Sequence, residues 1–496
     1  MNQRIIGWVL AVGIILLVLS CILRGDFMMA GLNAILFFLA PLIARPDLCW
    51  ILTIISMGSG ISLGMIGGAN LHLLFMLSFV GLMIIKIAAK GSYISKSSIP
   101  RKACVVWLVI IIMTGFCRGW GFKFLDSSMW GGMQYVSLIS AILFYLYSVH
   151  VTISENKLKK TLTWLFVFSL IPAAGFFLIT YVPAMKWVEN VVPVADTGLE
   201  RQAPEVVRWV IMQNPAIWMG VSAIYLYERL PKFTPTVVLV SALSFIMLGL
   251  SGHRSVAVLL GLTVCVYLLI KRHEINLFKF MKFAVVLIVL VVIFYLFVGE
   301  LPRNFQRALS WLPGIDVAYE AEMDASSTSL WRIELWRQLI PMIPDYLWIG
   351  RGLAFSQFEA MSASMLASDA GTQHIYFIAV HLYHNGPLLL ILDLGLAGFI
   401  AGLVFMLSGI RHYGRQLRCI PKGSRWNSTY VVFFCFFVGQ CLFFLAVFGA
   451  VGTLCTILVL ASILEVILHS TGKLDVKPTM DGIRADCNTA VGGGVK

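Results

Sequence analysis

Three short stretches of the chain carry groups that handle charge and protons. Leu250-Ser251-Gly252-His253-Arg254-Ser255 is a polar break between two apolar runs. Ser329-x-x-Arg332-x-x-x-Trp336 comes next, followed by Pro344 and Gly350-Arg351-Gly352. The third is His384-Asn385, then nine residues, then Gly395-Leu396-Ala397-Gly398. Residues 300–398 contain five arginines (Arg303, Arg307, Arg332, Arg337, Arg351) and no lysine. A guanidinium presents a planar fork of donors that matches phosphate oxygens, whereas an ammonium is a compact point charge. The bias therefore suits holding a phosphorylated group and stabilising an anion as it leaves. His384 can accept a proton near neutral pH, and Asn385 beside it could orient the imidazole or a substrate hydroxyl. The acids of this stretch form no Asp-x-Asp pair, and a divalent cation would need a cluster of carboxylates. Neither a metal nor a cofactor is expected.

Each of these residues also has a plainer reading. Arg254 at a helix start could be a surface charge, and Arg332 could snorkel to water beside Trp331 and Trp336. Arg337 could pair with Glu334 along a helix, Arg351 could be the exposed tip of a turn, and His384 a helix cap. His381 and His384 stand three apart with His374 nearby; that spacing suits a metal, but no paired carboxylate accompanies it. Asp393, in an apolar run, could pair with an arginine or line a cavity.

The elements that must position these residues are membrane helices. The chain of 496 residues is 59% hydrophobic and 12% charged, with a mean hydropathy of +0.89; soluble domains carry about twice that charge. Apolar runs long enough to cross a hydrocarbon core of roughly 30 Å recur throughout. The expected fold is an all-α polytopic membrane protein of about 14 transmembrane helices. The net charge of +13 does not point to nucleic acid, because the cations gather in short loops (86–102, 157–160, 229–232, 271–282 and 411–425) that alternate with lysine-poor ones. With the N-terminus in the cytoplasm, all five basic loops fall on the cytoplasmic side. Residues 1–299 then hold helices 1–11, and 300–386 a large periplasmic loop with short interfacial helices. Residues 387–469 hold helices 12–14, and 470–496 a disordered cytoplasmic tail. Within the large loop, Ser326-Ser327-Thr328-Ser329 is expected to cap a helix over 330–340, which Pro341 and Pro344 stop. The ten cysteines include no Cys-x-x-Cys pair, so neither a disulfide framework nor a thiolate metal site is expected.

In order and spacing, the three stretches together resemble the O-antigen ligase and O-antigen polymerase superfamily of membrane glycosyltransferases, over about residues 248–399. The resemblance implies a GT-C-like fold and a glycan donor carried on polyprenyl (undecaprenyl) pyrophosphate. It implies a metal-independent, inverting transfer to a glycolipid or glycan acceptor on the periplasmic face of a bacterial inner membrane. Matched by motif, Arg254 and Arg332 would bind the pyrophosphate and His384 would assist the acceptor hydroxyl as catalytic base. Arg337, Arg351 and Asn385 are supporting candidates. Breaking a sugar–pyrophosphate bond leaves a multiply charged anion, and arginines in place of a metal suit its stabilisation. A ligase acts on a lipid-anchored core and a polymerase on another lipid-linked repeat; the residues leave that choice open. A lipid-linked glycan flippase is the competing class, although the chain shows no internal repeat of the kind transporters carry.

Overall fold

The computed structural model describes residues 45–59, 62–63, 69–90, 98–121, 129–182, 200–203, 206–229, 235–272, 292, 295–310, 314–366, 373–421 and 424–471. Residues 1–44, most of 183–208, most of 273–299 and residues 472–496 lie outside the described residues, and with them part of the expected helices 1–11 and nearly all of the expected tail. Among the described residues six helices are long and apolar enough to cross a membrane: Leu71–Ala88, Ile99–Arg118, Arg254–Lys271, Gly386–Cys419, Trp426–Ala446 and Val451–Thr471. Three shorter apolar helices, Pro46–Ser59, Gly132–Ser148 and Pro235–Ser251, accompany them. The chain is thus an all-α polytopic membrane protein, and the expected count of 14 spans extends beyond what these helices establish.

The elements that bear on the site are α1 (Ile99–Arg118), α2 (Gly132–Ser148), α3 (Pro235–Ser251), α4 (Arg254–Lys271), α5 (Arg303–Leu309), α6 (Tyr319–Leu339), α7 (Gln373–Ala379), α8 (Gly386–Gln416), α9 (Arg425–Ala446) and α10 (Val451–Thr471). In the bundle α8 packs on α1, α10 on α2 and α9, and α4 on α9. Aromatic rings fill the seams: Phe405 of α8 lies 6.1 Å from Trp107 and 5.5 Å from Tyr145. At one end of the bundle Arg101 and Glu465, both buried, form an ion pair at 2.5 Å. The Tyr413 hydroxyl donates to the Glu465 carboxylate at 3.2 Å. Ionisable groups this deep persist only when paired and hydrogen-bonded. Arg101, within the basic loop 86–102 expected from sequence, lies instead in the first turn of α1, where Glu465 gives it a buried partner.

The other end of the bundle carries the functional stretches. Its spine is α6, whose Ala321, Ala325, Leu335 and Leu339 are buried, while Glu320 and Glu322 in the first turn complement the helix dipole. Ser326 to Ser329 therefore lie inside this helix rather than capping one. The three serine hydroxyls donate back to preceding carbonyls, Ser326 to Met323 at 3.0 Å, Ser327 to Asp324 at 3.0 Å and Ser329 to Ala325 at 3.2 Å. The helix ends at Leu339, ahead of Pro341 as expected, and Pro341 and Pro344 then stand in the first turns of two short segments, Ile340–Met342 and Ile343–Tyr346, positions that tolerate proline.

Short α5 fastens α6 to the polar break. The guanidinium of Arg307, 2% exposed, pairs with Asp324 of α6 and donates to the carbonyl of Gly252. Asn304 Nδ2 donates to the Leu250 carbonyl at 3.0 Å. A second joint links the large loop to α8. Gly395 interrupts α8 with φ 72° and ψ −179°, which frees main-chain groups on either side of it. The Leu396 amide donates to the Leu347 carbonyl at 2.6 Å, the Arg351 amide to Leu392 at 2.6 Å and the Gly352 amide to Asp393 at 3.0 Å. The two glycine motifs seen in the sequence are thus the two halves of one clasp. A Cβ at Gly395 would stand 2.8 Å from the Trp348 carbonyl oxygen, in a backbone region that side chains avoid. Gly395→Ala is expected to cost about 1–3 kcal/mol and to lower the thermal unfolding midpoint. Gly261→Ala, at a site with nothing within 4 Å, is the control, and equal midpoints for the two variants would contradict this account of the clasp.

Candidate active site

The polar break puts Arg254 at the first position of α4, with Gly252 at φ 65° making the turn. From there its guanidinium reaches α6, donating to the Ala325 carbonyl at 2.7 Å and to Ser329 Oγ at 3.1 Å. Arg332 follows Ser329 by three positions and so emerges one turn later along nearly the same side of the helix. Its guanidinium carbon stands 5.7 Å from the centre of the Trp331 ring. Trp331 in turn stacks on Phe377 of α7 at 4.9 Å and meets the edge of His384 at 5.2 Å. Helix α6 therefore brings Arg254, Arg332 and His384 together, although they come from three separate stretches.

His384 sits in an aromatic cage. Trp331, Phe377 and Phe448 stand around the imidazole with centroids 5.2, 5.2 and 5.0 Å away. Its backbone is left-handed, φ 52°, as is that of His381, φ 59°, a conformation that costs a non-glycine residue roughly 1–2 kcal/mol. Neither ring nitrogen of His384 has a hydrogen-bond partner among the described residues. Burial, and secondarily the neighbouring Arg332 charge, push the imidazole down to about 4. The ring is thus neutral at physiological pH, with a lone pair available to a hydroxyl.

Tyr383, fully buried, holds the strained segment. Its carbonyl accepts from Trp336 Nε1 of α6 at 3.0 Å, and its hydroxyl donates to Asp393 Oδ1 of α8 at 2.8 Å. His381 Nδ1 approaches the Gly352 carbonyl at 3.0 Å and Asp393 Oδ1 at 3.1 Å. Arg351 Nη1 reaches the Ile378 carbonyl and the Tyr383 hydroxyl, each at 3.3 Å. The aspartate suspected from sequence of pairing or lining a cavity thus anchors Tyr383 and His381 behind His384.

Not every expected supporting residue takes its expected place. Asn385 neither orients the imidazole nor faces a substrate through its carbonyl: it is the N-cap of α8, accepting the Leu388 amide at 3.0 Å, because the helix starting at Gly386 leaves first-turn amides to satisfy. Arg337 does not pair with Glu334, whose carboxylate instead accepts from Gln338 at 3.1 Å. Arg337 is exposed and turned about 140° from Arg332 around the helix axis. Arg351 belongs to the Tyr383 network. His381 is engaged by Gly352 and Asp393, and among the described residues no cluster of three metal-ligating side chains occurs.

Sequence reasoning missed Tyr383 and the cage residues Phe377 and Phe448, which read as ordinary apolar positions. It also missed Arg118 at the end of α1, whose Nε donates to the Gly350 carbonyl at 2.8 Å. A span-terminal arginine gives no signal of such a contact.

A comparison with curated proteins gave no match. Residues 239–403 match the family described as O-antigen ligase, a segment that contains Arg254, Arg332, His384, Asp393 and the Gly395 clasp. Over that segment the match supports the resemblance to the O-antigen ligase superfamily.

Proposed function

We propose that the protein transfers a glycan from a polyprenyl-pyrophosphate carrier to an acceptor hydroxyl on the extracytoplasmic side of a bacterial inner membrane, as a ligase acting on a glycolipid. The observation that carries this reading is the convergence along α6 of two arginines and a neutral, caged histidine. In the reaction the acceptor oxygen attacks the anomeric carbon, inverting it. The bond from that carbon to the pyrophosphate oxygen breaks, and its electron pair leaves with the carrier. Arg254 and Arg332 receive the developing negative charge, and His384 takes the hydroxyl proton. No metal takes part in this scheme.

The test uses the full chain in proteoliposomes supplied with polyprenyl-pyrophosphate-linked glycan and a lipid-anchored saccharide core. Transfer to the core and release of free polyprenyl pyrophosphate are measured together. Replacing Arg332 or Arg254 by Ala should slow transfer roughly 10- to 100-fold, as for loss of one charge-assisted hydrogen bond. Undiminished transfer would remove that arginine from its role. Release of free carrier only when a second lipid-linked repeat is the acceptor would make the enzyme a polymerase. No release with either acceptor would contradict transfer altogether and leave flipping of the lipid-linked glycan.

A further inference from the structure

A second pair of guanidinium groups lies at the Gly350-Arg351-Gly352 turn, one of them shared with the Tyr383 network. Arg118, exposed at the end of α1, and Arg351, half-buried, both stand over the ring of Tyr346, with guanidinium carbons 5.7 and 5.6 Å from its centre. Both are fixed in place. Arg118 Nε donates to the Gly350 carbonyl at 2.8 Å, and Arg351 Nη1 is held by the Ile378 carbonyl and the Tyr383 hydroxyl. The glycine at 352 is part of the arrangement, because a Cβ there would stand 2.9 Å from Arg118 Cβ and 2.8 Å from the Tyr135 hydroxyl. Neither arginine forms an ion pair among the described residues; the nearest buried acid, Asp393, lies beyond the Tyr383 hydroxyl and is already bonded to it. Beside the pair, Trp348 is 78% exposed and Ile349 47%. Two like charges gathered around one ring repel each other, and an oxyanion binding to both turns that repulsion into charge-assisted hydrogen bonds.

We propose that Arg118 and Arg351, gathered around Tyr346, form an oxyanion subsite that takes a phosphate group, carried either by a bilayer phospholipid or by a phosphorylated glycan. The subsite does not depend on the transfer reaction assigned to His384. The full chain in detergent, analysed by native mass spectrometry, provides the test, with phosphatidylglycerol and mannose 6-phosphate as probes and diacylglycerol and mannose as their unphosphorylated counterparts. The wild type should retain a phosphorylated probe about tenfold better than the Arg118→Gln/Arg351→Gln double variant, and better than it retains the counterpart. Arg337→Gln, an exposed arginine of α6, and His384→Ala should retain the probe as the wild type does. Retention of phosphatidylglycerol alone assigns the subsite to a lipid headgroup; retention of mannose 6-phosphate assigns it to a phosphorylated sugar. Because Arg118 also holds the Gly350 carbonyl, the Arg118→Lys/Arg351→Lys variant, which keeps both charges, should bind at an intermediate level. Equal retention of both phosphorylated probes by the wild type and the Lys and Gln variants would overturn the proposal.

Discussion

His384→Ala is expected to reduce transfer to the acceptor by about 10²- to 10⁴-fold, the range a positioned general base contributes, while binding of the lipid-linked donor stays close to wild type. The wild-type pH profile should carry the same information. The active form is the neutral imidazole, and its folded value is lowered from 6.5 to about 4. The rate should therefore stay level as pH falls through 6.5 and decline only as it approaches about 4. An unperturbed histidine would lose half its activity near 6.5. The linkage to stability runs the same way. The unfolded chain takes up the proton at higher pH than the folded one, so the contribution of this group to stability diminishes as pH falls from 6.5 toward 4. Opening the cage with Trp331→Ala should admit water, raise the pKa and move the decline to higher pH. A full rate for His384→Ala, or a wild-type decline centred at 6.5, would dismiss the histidine as base.

The second large effect concerns a residue with no assigned part in the chemistry. Arg307→Ala is expected to destabilise the outer assembly by about 3–5 kcal/mol, the usual result of leaving one member of a buried ion pair without its partner. Arg307 and Asp324 side chains are each 3% exposed, so Asp324 would lose this buried cationic partner and the Gly252 carbonyl would lose the Arg307 donor. Since that contact joins α5 and α6 to the polar break, transfer should fall along with stability as Arg254 loses its register on α6. Replacing both partners with apolar residues, Arg307→Met with Asp324→Leu, should recover most of the stability. The measurements are the thermal midpoint and hydrogen exchange at residues 251–255. A single variant as stable as wild type, with unchanged exchange there, would show that the pair does not hold the break.

Much of this arrangement could be read in the sequence because its signals are local or ordered along the chain. Apolar runs announce helices, and the order of the three stretches marked Arg254, Arg332 and His384, which α6 gathers. What could not be read depends on contacts distant in sequence. Four consecutive Ser/Thr residues look like a helix start, yet α6 begins at Tyr319, where Arg307 reaches across to pair with Asp324 and buried alanines seat the preceding turns. Asn385 beside a catalytic candidate invites a catalytic role, but the helix beginning one residue later claims its carbonyl. The glycines at 350, 352 and 395 were visible as parts of motifs. That they form a single joint required the folded positions of Leu347, Leu392 and Asp393. Arg101, read as a loop cation, found a buried partner 364 residues away.

The clasp at Gly395 has a consequence for divergence. Its bonds run between main-chain amides and carbonyls, with glycines at 350, 352 and 395 supplying the positive φ angles. Such a joint does not depend on which side chain stands at position 351 between its two glycines. Descendants of this chain can therefore exchange that residue, and with it whatever the turn touches, while the loop stays fastened to the membrane helix in the same register. The main-chain part of the joint leaves position 351 open to exchange, while Arg118 and His381 hold the carbonyls of the flanking glycines.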